Sequence, residues 1–113
     1  MKKIEIIIPN RGFNQLDKIF KEEHLGGVSY SRIEGRGKSK AKEVSVGRGT
    51  MHYTPDYIPR LKIEVVVKDN QVEGLIDKIV AELGGTDLGG KIFVVDVPIA
   101  VDLKTKEKGE SAI

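Results

Sequence analysis

The sequence contains no cysteine, which excludes disulfides, thiolate metal ligands and a cysteine nucleophile. An excess of one charge is also missing, because 19 basic and 17 acidic side chains leave a net charge of +2. No general attraction to nucleic acid or to a membrane surface is therefore expected. The apolar runs are far shorter than a bilayer span, and the first residues lack the long apolar segment of a signal peptide. These absences predict a cytoplasmic protein without direct membrane insertion.

Catalytic machinery is scarce as well. His24 and His52 lie far apart and lack the companions that a metal site needs, and no general base stands beside the glycine-rich stretches. We therefore expect neither an enzyme nor a metal site. With 113 residues, of which 39% are hydrophobic, the chain can build one modest core, and a single domain over residues 1–113 is predicted.

What the sequence does have is one pattern that is used twice. Runs rich in Ile and Val predict four strands, at residues 4–8, 28–33, 61–67 and 91–97. Apolar residues at helical spacing predict two helices, with caps at Asn14 and around Asp69. The first carries the apolar stripe of residues 13–20 and is stopped by Leu25-Gly26-Gly27, and the second carries the stripe of residues 72–83 and is stopped by Leu83-Gly84-Gly85. The order βαββαβ with right-handed crossovers predicts an α+β ferredoxin-like sandwich, in which a four-stranded antiparallel sheet carries both helices on one face.

The second face of this sheet would carry no helix. It bears Ile and Val more than charge, and an exposed apolar surface of this kind usually marks an interface, so we expect the chain to assemble. The alternative stays open that Glu5, Lys62 and Glu64 make the face polar enough for water.

A long interval without helical or strand periodicity separates the two halves, from Gly35 to about Pro55. Loops of this length in a small domain are usually functional or disordered. The interval is mainly basic, with Lys and Arg at five positions against the single Glu43. A solvated hairpin and a binding loop both fit this composition.

Two glycine-rich stretches suit phosphate binding, because glycine lets backbone N–H groups approach an anion closely. They are Gly35-Arg36-Gly37 and Gly89-Gly90-Lys91, and we expect them at opposite ends of the sheet. Lys104 adds positive charge from the C-terminal segment. A P-loop at residues 37–39 is excluded, because Arg32 occupies the position of its first glycine and no helical pattern follows.

Three segments together resemble the PII signal-transduction family: residues 1–5, 57–64 and 90–94. The resemblance extends to the closing residues 109–113. It implies a homotrimer of ferredoxin-like subunits with ATP or ADP in the clefts between them. It also implies a long T-loop, here about residues 37–55, that responds to nucleotide and docks on a membrane transporter or a cytosolic target protein.

The resemblance also assigns individual residues. Those that line the nucleotide are Ser29, Gly35, Gly37, Lys38, Ser39, Arg60, Glu64, Gly89, Gly90, Lys91 and, in the C-terminal segment of residues 99–113, Lys104. Those in the T-loop that meet the target are Lys40, Lys42, Arg48 and Tyr53. Arg48 resembles a loop-tip arginine that plugs an ammonium channel, and Tyr53 resembles a tyrosine that some members have modified. The implied function is control of an ammonium transporter or of another protein of nitrogen metabolism.

Three departures from the family pattern qualify this implication. Ser39 replaces a glutamine that coordinates magnesium and 2-oxoglutarate, so the resemblance does not carry these two ligands over. Leu88-Gly89 replaces a Gly-Asp pair, and Asp102 replaces an arginine that pairs with phosphate. A lost cation and a gained anion weaken triphosphate binding, which favours ADP or AMP over ATP. A divergent regulator of bicarbonate, carbon or metal transport is therefore an alternative.

An RNA-binding module of the same fold is a further alternative. RRM domains stack bases on exposed aromatic residues of a central strand. The predicted strand at residues 61–67 has no aromatic residue, so we expect no nucleic-acid partner.

Overall fold

The computed structural model describes residues 1–37, 44–46, 51–53 and 56–113. Its strands are β1 (Lys2–Ile8), β2 (Ser29–Gly35), β3 (Val44–Val46), β4 (Met51–Tyr53), β5 (Ile58–Val67) and β6 (Lys91–Asp96). Its helices are α1 (Phe13–Glu22) and α2 (Val72–Leu83). Four strands form one antiparallel sheet in the order β2-β5-β1-β6. The predicted ferredoxin-like architecture is confirmed.

The core lies between this sheet and the two helices, because alternate side chains of β1 and β5 point toward α1 and α2. The side chains that are almost completely buried are Phe20, Ile4, Ile6, Leu16, Ile63, Val65 and Val67. Each large apolar side chain buried in this way stabilises the fold by about 1.5–3 kcal/mol. From α2, Leu75 and Ile79 complete the cluster, and an ion pair between Lys78 and Glu23 links the two helices.

Both helices are capped differently from the prediction, although each begins at the first apolar residue of its predicted stripe. A turn of 3₁₀ helix, Asn10–Gly12, leads directly into α1, so Asn14 lies inside the first turn and is not the cap. A similar turn, Asp69–Gln71, precedes α2, and there the Lys68 N–H donates to the Gln71 side-chain carbonyl at 2.9 Å. Asp69 instead pairs with the amino terminus of Met1 at 2.9 Å. Pattern rules place a cap just before the first apolar residue, and a preceding 3₁₀ turn moves that position upstream.

Three strands extend beyond their predicted ends, and β1 already begins at Lys2. β2 reaches Gly35, and β5 begins at Ile58, because these two stretches pair with each other in the register Gly35↔Ile58. Pro59 is tolerated within β5 because β1 pairs with β5 only from Leu61 onward, so the strand has a neighbour on one side at this point. β6 ends at Asp96, one residue earlier than predicted.

The face of the four-stranded sheet that points away from the helices is called the open face below. At its centre Lys3 pairs with Glu5 at 3.1 Å, and Lys62 pairs with Glu64 at 3.2 Å. Phe93 and Val95 of β6 flank these pairs on one side, where Phe93 is 47% exposed, and Ser29 and Ser31 of β2 flank them on the other. The open face thus carries both the apolar side chains that favour assembly and the charged side chains that favour contact with water. Assembly through this face stays a prediction.

The interval between β2 and β5 contains the two short strands β3 and β4, which pair antiparallel in the register Val44↔Tyr53. No strand was predicted there, because three residues are too few to show a period of two. Lys38, Ser39, Lys40, Lys42 and Arg48 lie outside the described residues.

Candidate functional site

One end of the sheet collects both glycine-rich stretches. β2 ends at Gly35 beside Ile58, whereas β6 begins at Lys91 beside Ile7 of β1. The strands between them are antiparallel throughout, so the end of β2 and the start of β6 lie at the same end of the sheet. The expectation of opposite ends is therefore wrong. The two stretches do belong to opposite edge strands.

A hollow of about 300 Å³ opens on the open face at this end. Its described lining residues are Ile7, Ile33, Gly35, Arg36, Gly37, Ile58, Arg60, Gly90, Lys91 and Phe93. Five of them, Gly35, Gly37, Arg60, Gly90 and Lys91, were predicted to bind nucleotide. Among the described lining residues three carry a positive charge and none carries a negative one. The hollow therefore combines an apolar floor with an electropositive rim, which suits a planar apolar group joined to an anion.

The backbone geometry of the second stretch depends on Gly90. Its φ is +116°, and a Cβ placed on it would lie 2.6 Å from the Ile7 carbonyl oxygen and 2.9 Å from the Ile8 Cγ2. No larger residue fits this approach to β1 without a backbone shift. Gly90 thus sets the position at which Lys91 enters β6 beside the hollow.

The residues before Gly90 are held against the turn that precedes α1. Leu88 is buried on Gly12, where an added Cβ would lie only 2.7 Å from Leu88 Cδ2. Arg11 Nη2 donates a hydrogen bond to the Asp87 carbonyl oxygen at 3.1 Å. Leucine at position 88, which departs from the family pattern, therefore has a packing role that the sequence alone does not reveal.

The electrostatics of the hollow favour an anion. Arg60 Nη1 donates to the Pro59 carbonyl oxygen at 2.9 Å, and the guanidinium is partly buried. Burial lowers the pKa of Arg60, and the positive charge of nearby Arg11 lowers that pKa further. Both effects destabilise the charged form of Arg60, although the guanidinium stays charged at neutral pH. A bound anion would stabilise that charge.

Arg36 closes one side of the hollow. Its guanidinium carbon lies 5.9 Å from the centre of the Tyr57 ring, within cation–π range. The two residues stand on either side of the segment 38–55. Arg36 was not predicted as a binding residue, although it lies between two glycines that were.

Other predicted residues lie away from the hollow of their own chain. Ser29 and Glu64 face each other across β2 and β5, and Glu64 is four residues from Arg60, about 13 Å along an extended strand. Lys104 follows the far end of β6, whose five steps from Lys91 to Asp96 span about 17 Å. Gly89, with a φ of +73°, does not line this hollow but the one between α2 and β6 that is described below. Tyr53 belongs to β4.

The segment around Lys104 has a defined shape. Residues 100–109 form a hairpin, with Val101 paired to Lys108 and the Gly109 N–H bonded to the Ala100 carbonyl. Asp102 organises its turn, because one carboxylate oxygen accepts the N–H groups of Lys104 at 2.8 Å and Thr105 at 3.1 Å.

A second and larger hollow, of about 370 Å³, lies between α2 and β6 on the helix side. Apolar side chains such as Ile76, Val80 and Val94 dominate its lining. Gly89, Gly90 and Lys91 line it as well, but Lys91 is the one charged residue among its described lining residues. The first hollow has three converging cations, so we place the anion site there. In the described part of the chain no group of three or more His, Asp or Glu side chains could hold a metal ion. No helix among the described residues is long and apolar enough to cross a membrane.

Known proteins resemble the chain over its whole length. A family model for the nitrogen regulatory protein P-II matches residues 1–107. Proteins of that name from Microchaete diplosiphon and Cereibacter sphaeroides are each 34% identical over 114 aligned positions, which cover 100% of this chain and of each relative. The protein of that name from Azospirillum brasilense is 36% identical over the same extent.

The chain belongs to the P-II family. The resemblance noted in the sequence is thereby confirmed. P-II proteins are regulatory signalling proteins and not enzymes, so the prediction of a regulator is confirmed at this level. The matched region includes both glycine-rich stretches, the segment 38–55 and Lys104. The assignment of individual binding residues stays a prediction.

Proposed function

We propose that this P-II protein is a cytoplasmic sensor of adenine nucleotides that binds ATP or ADP in the hollow at the end of the sheet. The observation that carries this proposal is the meeting of Gly35, Gly37, Gly90 and Lys91 around one hollow with a positive rim. Glycine exposes backbone N–H groups to phosphate, and Arg60 and Lys91 supply charge. The apolar side chains of Ile7 and Ile33 provide a surface for a base or ribose.

We further propose that the protein works as a homotrimer. Ser29, Glu64 and Lys104 lie too far along the chain's own strands to reach its own hollow, so a neighbouring subunit would supply them. Apolar side chains are available for such contacts, since Phe93 and Val95 on the open face are 47% and 44% exposed. Leu103 in the C-terminal hairpin is 93% exposed. Burial of these groups in an assembly is favourable.

The output of the sensor is the T-loop, residues 37–55. Gly37 lines the hollow and immediately precedes the segment that carries Lys40, Lys42, Arg48 and Tyr53. A nucleotide that contacts Gly37 would shift the populations of T-loop conformations and so admit or release a target protein. We propose an ammonium transporter or another protein of nitrogen metabolism as that target.

Calorimetric titration with ATP, ADP and AMP tests the proposal, each with and without magnesium and 2-oxoglutarate. Lys91→Ala should weaken nucleotide binding about 10- to 100-fold, because a charge-assisted hydrogen bond contributes about 1.5–3 kcal/mol. Lys18→Ala, on the exposed surface of α1, removes the same charge away from the hollow and should leave the affinity unchanged. Absence of nucleotide binding to the assembled protein would refute the sensor proposal.

Ser39 supports one alternative, a divergent regulator of bicarbonate, carbon or metal transport that binds ADP or AMP. Identification of the transporter that co-purifies with the nucleotide-loaded protein would separate the two functions. RNA binding has less support, because Phe93 is the one aromatic side chain on the described open face. Salt-sensitive retention of RNA would revive that function.

A further inference from the structure

We infer that Arg36 is a phosphate-binding residue of the hollow, and that a polyphosphate takes it away from the ring of Tyr57. This inference rests on the proposed function and extends it to the number of phosphates that the site prefers. Arg36 lines the hollow together with Arg60 and Lys91, so three cations converge on it. Its contact with Tyr57 is the only cation–π pair in the described part of the chain.

The charge balance of the chain supports this role. Position 102, where the sequence departs from the family by loss of an arginine, carries an aspartate. Its carboxylate accepts the N–H groups of Lys104 and Thr105 at 2.8 and 3.1 Å, so the side chain serves the turn of its own hairpin. Arg36 lines the hollow directly and supplies a positive charge there. The chain should therefore bind ATP more tightly than ADP and ADP more tightly than AMP, the reverse of the order expected from position 102 alone.

The contact between Arg36 and the Tyr57 ring is weak enough for a phosphate to replace it. Arg36 and Tyr57 are both exposed, and cation–π contacts are weak where water reaches them. A guanidinium binds phosphate through two parallel hydrogen bonds, which are stronger. Arg36 lies just before the T-loop, and Tyr57 lies just after it. Movement of Arg36 from the Tyr57 ring to a phosphate therefore breaks a contact between the two ends of the loop. Phosphate binding in the hollow would thereby change the T-loop, because it removes the contact between Arg36 and Tyr57.

Inorganic tripolyphosphate is the probe that separates this inference from nucleotide sensing, and ATP, ADP and AMP are titrated beside it by calorimetry. Arg36→Ala should weaken the binding of tripolyphosphate and of ATP about tenfold or more, the binding of ADP less, and the binding of AMP least. Arg32→Ala is the matched control. Arg32 lies four residues earlier in β2, is exposed, and faces the helix side, so its loss removes the same charge and should change each affinity by less than about twofold.

Two further variants test the exchange. Arg36→Lys keeps the charge without the planar fork and should bind tripolyphosphate with an affinity between those of the wild type and Arg36→Ala. Tyr57→Leu removes the competing ring and should bind as tightly as the wild type or a few-fold more tightly. A loss of about tenfold in Tyr57→Leu would overturn the exchange, because the stacked arginine would then be the binding form. Circular dichroism and thermal unfolding verify that each variant is folded.

The outcomes distinguish this inference from the function on which it rests. If nucleotides bind, and if Arg36→Ala and Arg32→Ala have the same affinities for tripolyphosphate and nucleotides, Arg36 does not bind phosphate and the sensor proposal stands. If tripolyphosphate binds through Arg36 and no nucleotide binds, the phosphate site stands and the sensor proposal fails. If the wild type binds neither, both are overturned.

Discussion

Replacement of Gly90 by alanine is the sharpest test of how the second glycine stretch is built. The new Cβ would lie 2.6 Å from the Ile7 carbonyl oxygen and 2.9 Å from Ile8 Cγ2, and the backbone would keep a φ of +116° that alanine rarely adopts. Strained backbone of this kind costs about 1–3 kcal/mol, and overpacking adds a further ~1–3 kcal/mol. Since partial relaxation relieves some of both, we expect Gly90→Ala to lower the free energy of unfolding by about 2–4 kcal/mol.

The assay is urea denaturation followed by circular dichroism at one fixed protein concentration, because the stability of an oligomer depends on concentration. Gly37→Ala is the matched control. A Cβ at Gly37 meets nothing within 4 Å, so this change should alter stability by less than about 0.5 kcal/mol. If Gly90→Ala were as stable as Gly37→Ala, the close approach of Gly90 to β1 would not exist in solution, and the geometry assigned to the hollow would be incorrect.

Two other predictions concern what holds the hollow and the sheet. Leu88→Ala should cost about 2–3 kcal/mol through loss of its packing on Gly12, and hydrogen exchange at the Gly89 and Gly90 amides should accelerate; unchanged exchange would argue against the anchor. The hydrogen bond from the Met1 amino group, together with its charge, lowers the pKa of Asp69. Ionised Asp69 therefore adds stability above its unfolded pKa, and this is lost as the pH falls through the lowered folded value. Asp69→Asn should flatten that acid-induced loss in pH-dependent unfolding, and an unchanged profile would contradict the ion pair.

The fold could be predicted from the sequence because its signals are local. Alternation in β5, with Leu61, Ile63, Val65 and Val67 on one face, and the apolar stripe of α2 both follow from the period of one element. The helix caps were missed because the 3₁₀ turns at Asn10–Gly12 and Asp69–Gln71 have no periodic signature.

The candidate site was only partly predictable. Glycine beside a basic residue marked both stretches, but their placement at one end of the sheet depends on the strand order β2-β5-β1-β6, which no short window of sequence contains. Arg36 and Phe93 were missed for the same reason, since their roles depend on neighbours from other strands. A period of two counted from Lys91 would have placed Phe93 on the same face as the lysine. Leu88 could be recognised as an anchor only once Gly12 was seen beneath it.

The account depends most on adenine nucleotide occupying the hollow between neighbouring subunits, and amide NMR of the labelled protein titrated with ATP tests this most directly. The amide signals of Gly35, Gly37 and Gly90 should shift along one saturating curve, together with those of Ser29, Glu64 and Lys104 contributed by the adjacent subunit. Signals that stay in place at all of these positions at saturating ATP would contradict it. So would shifts at Gly90 that are accompanied by Ile76 and Val80, which line only the hollow between α2 and β6, while Gly35 and Gly37 stay in place.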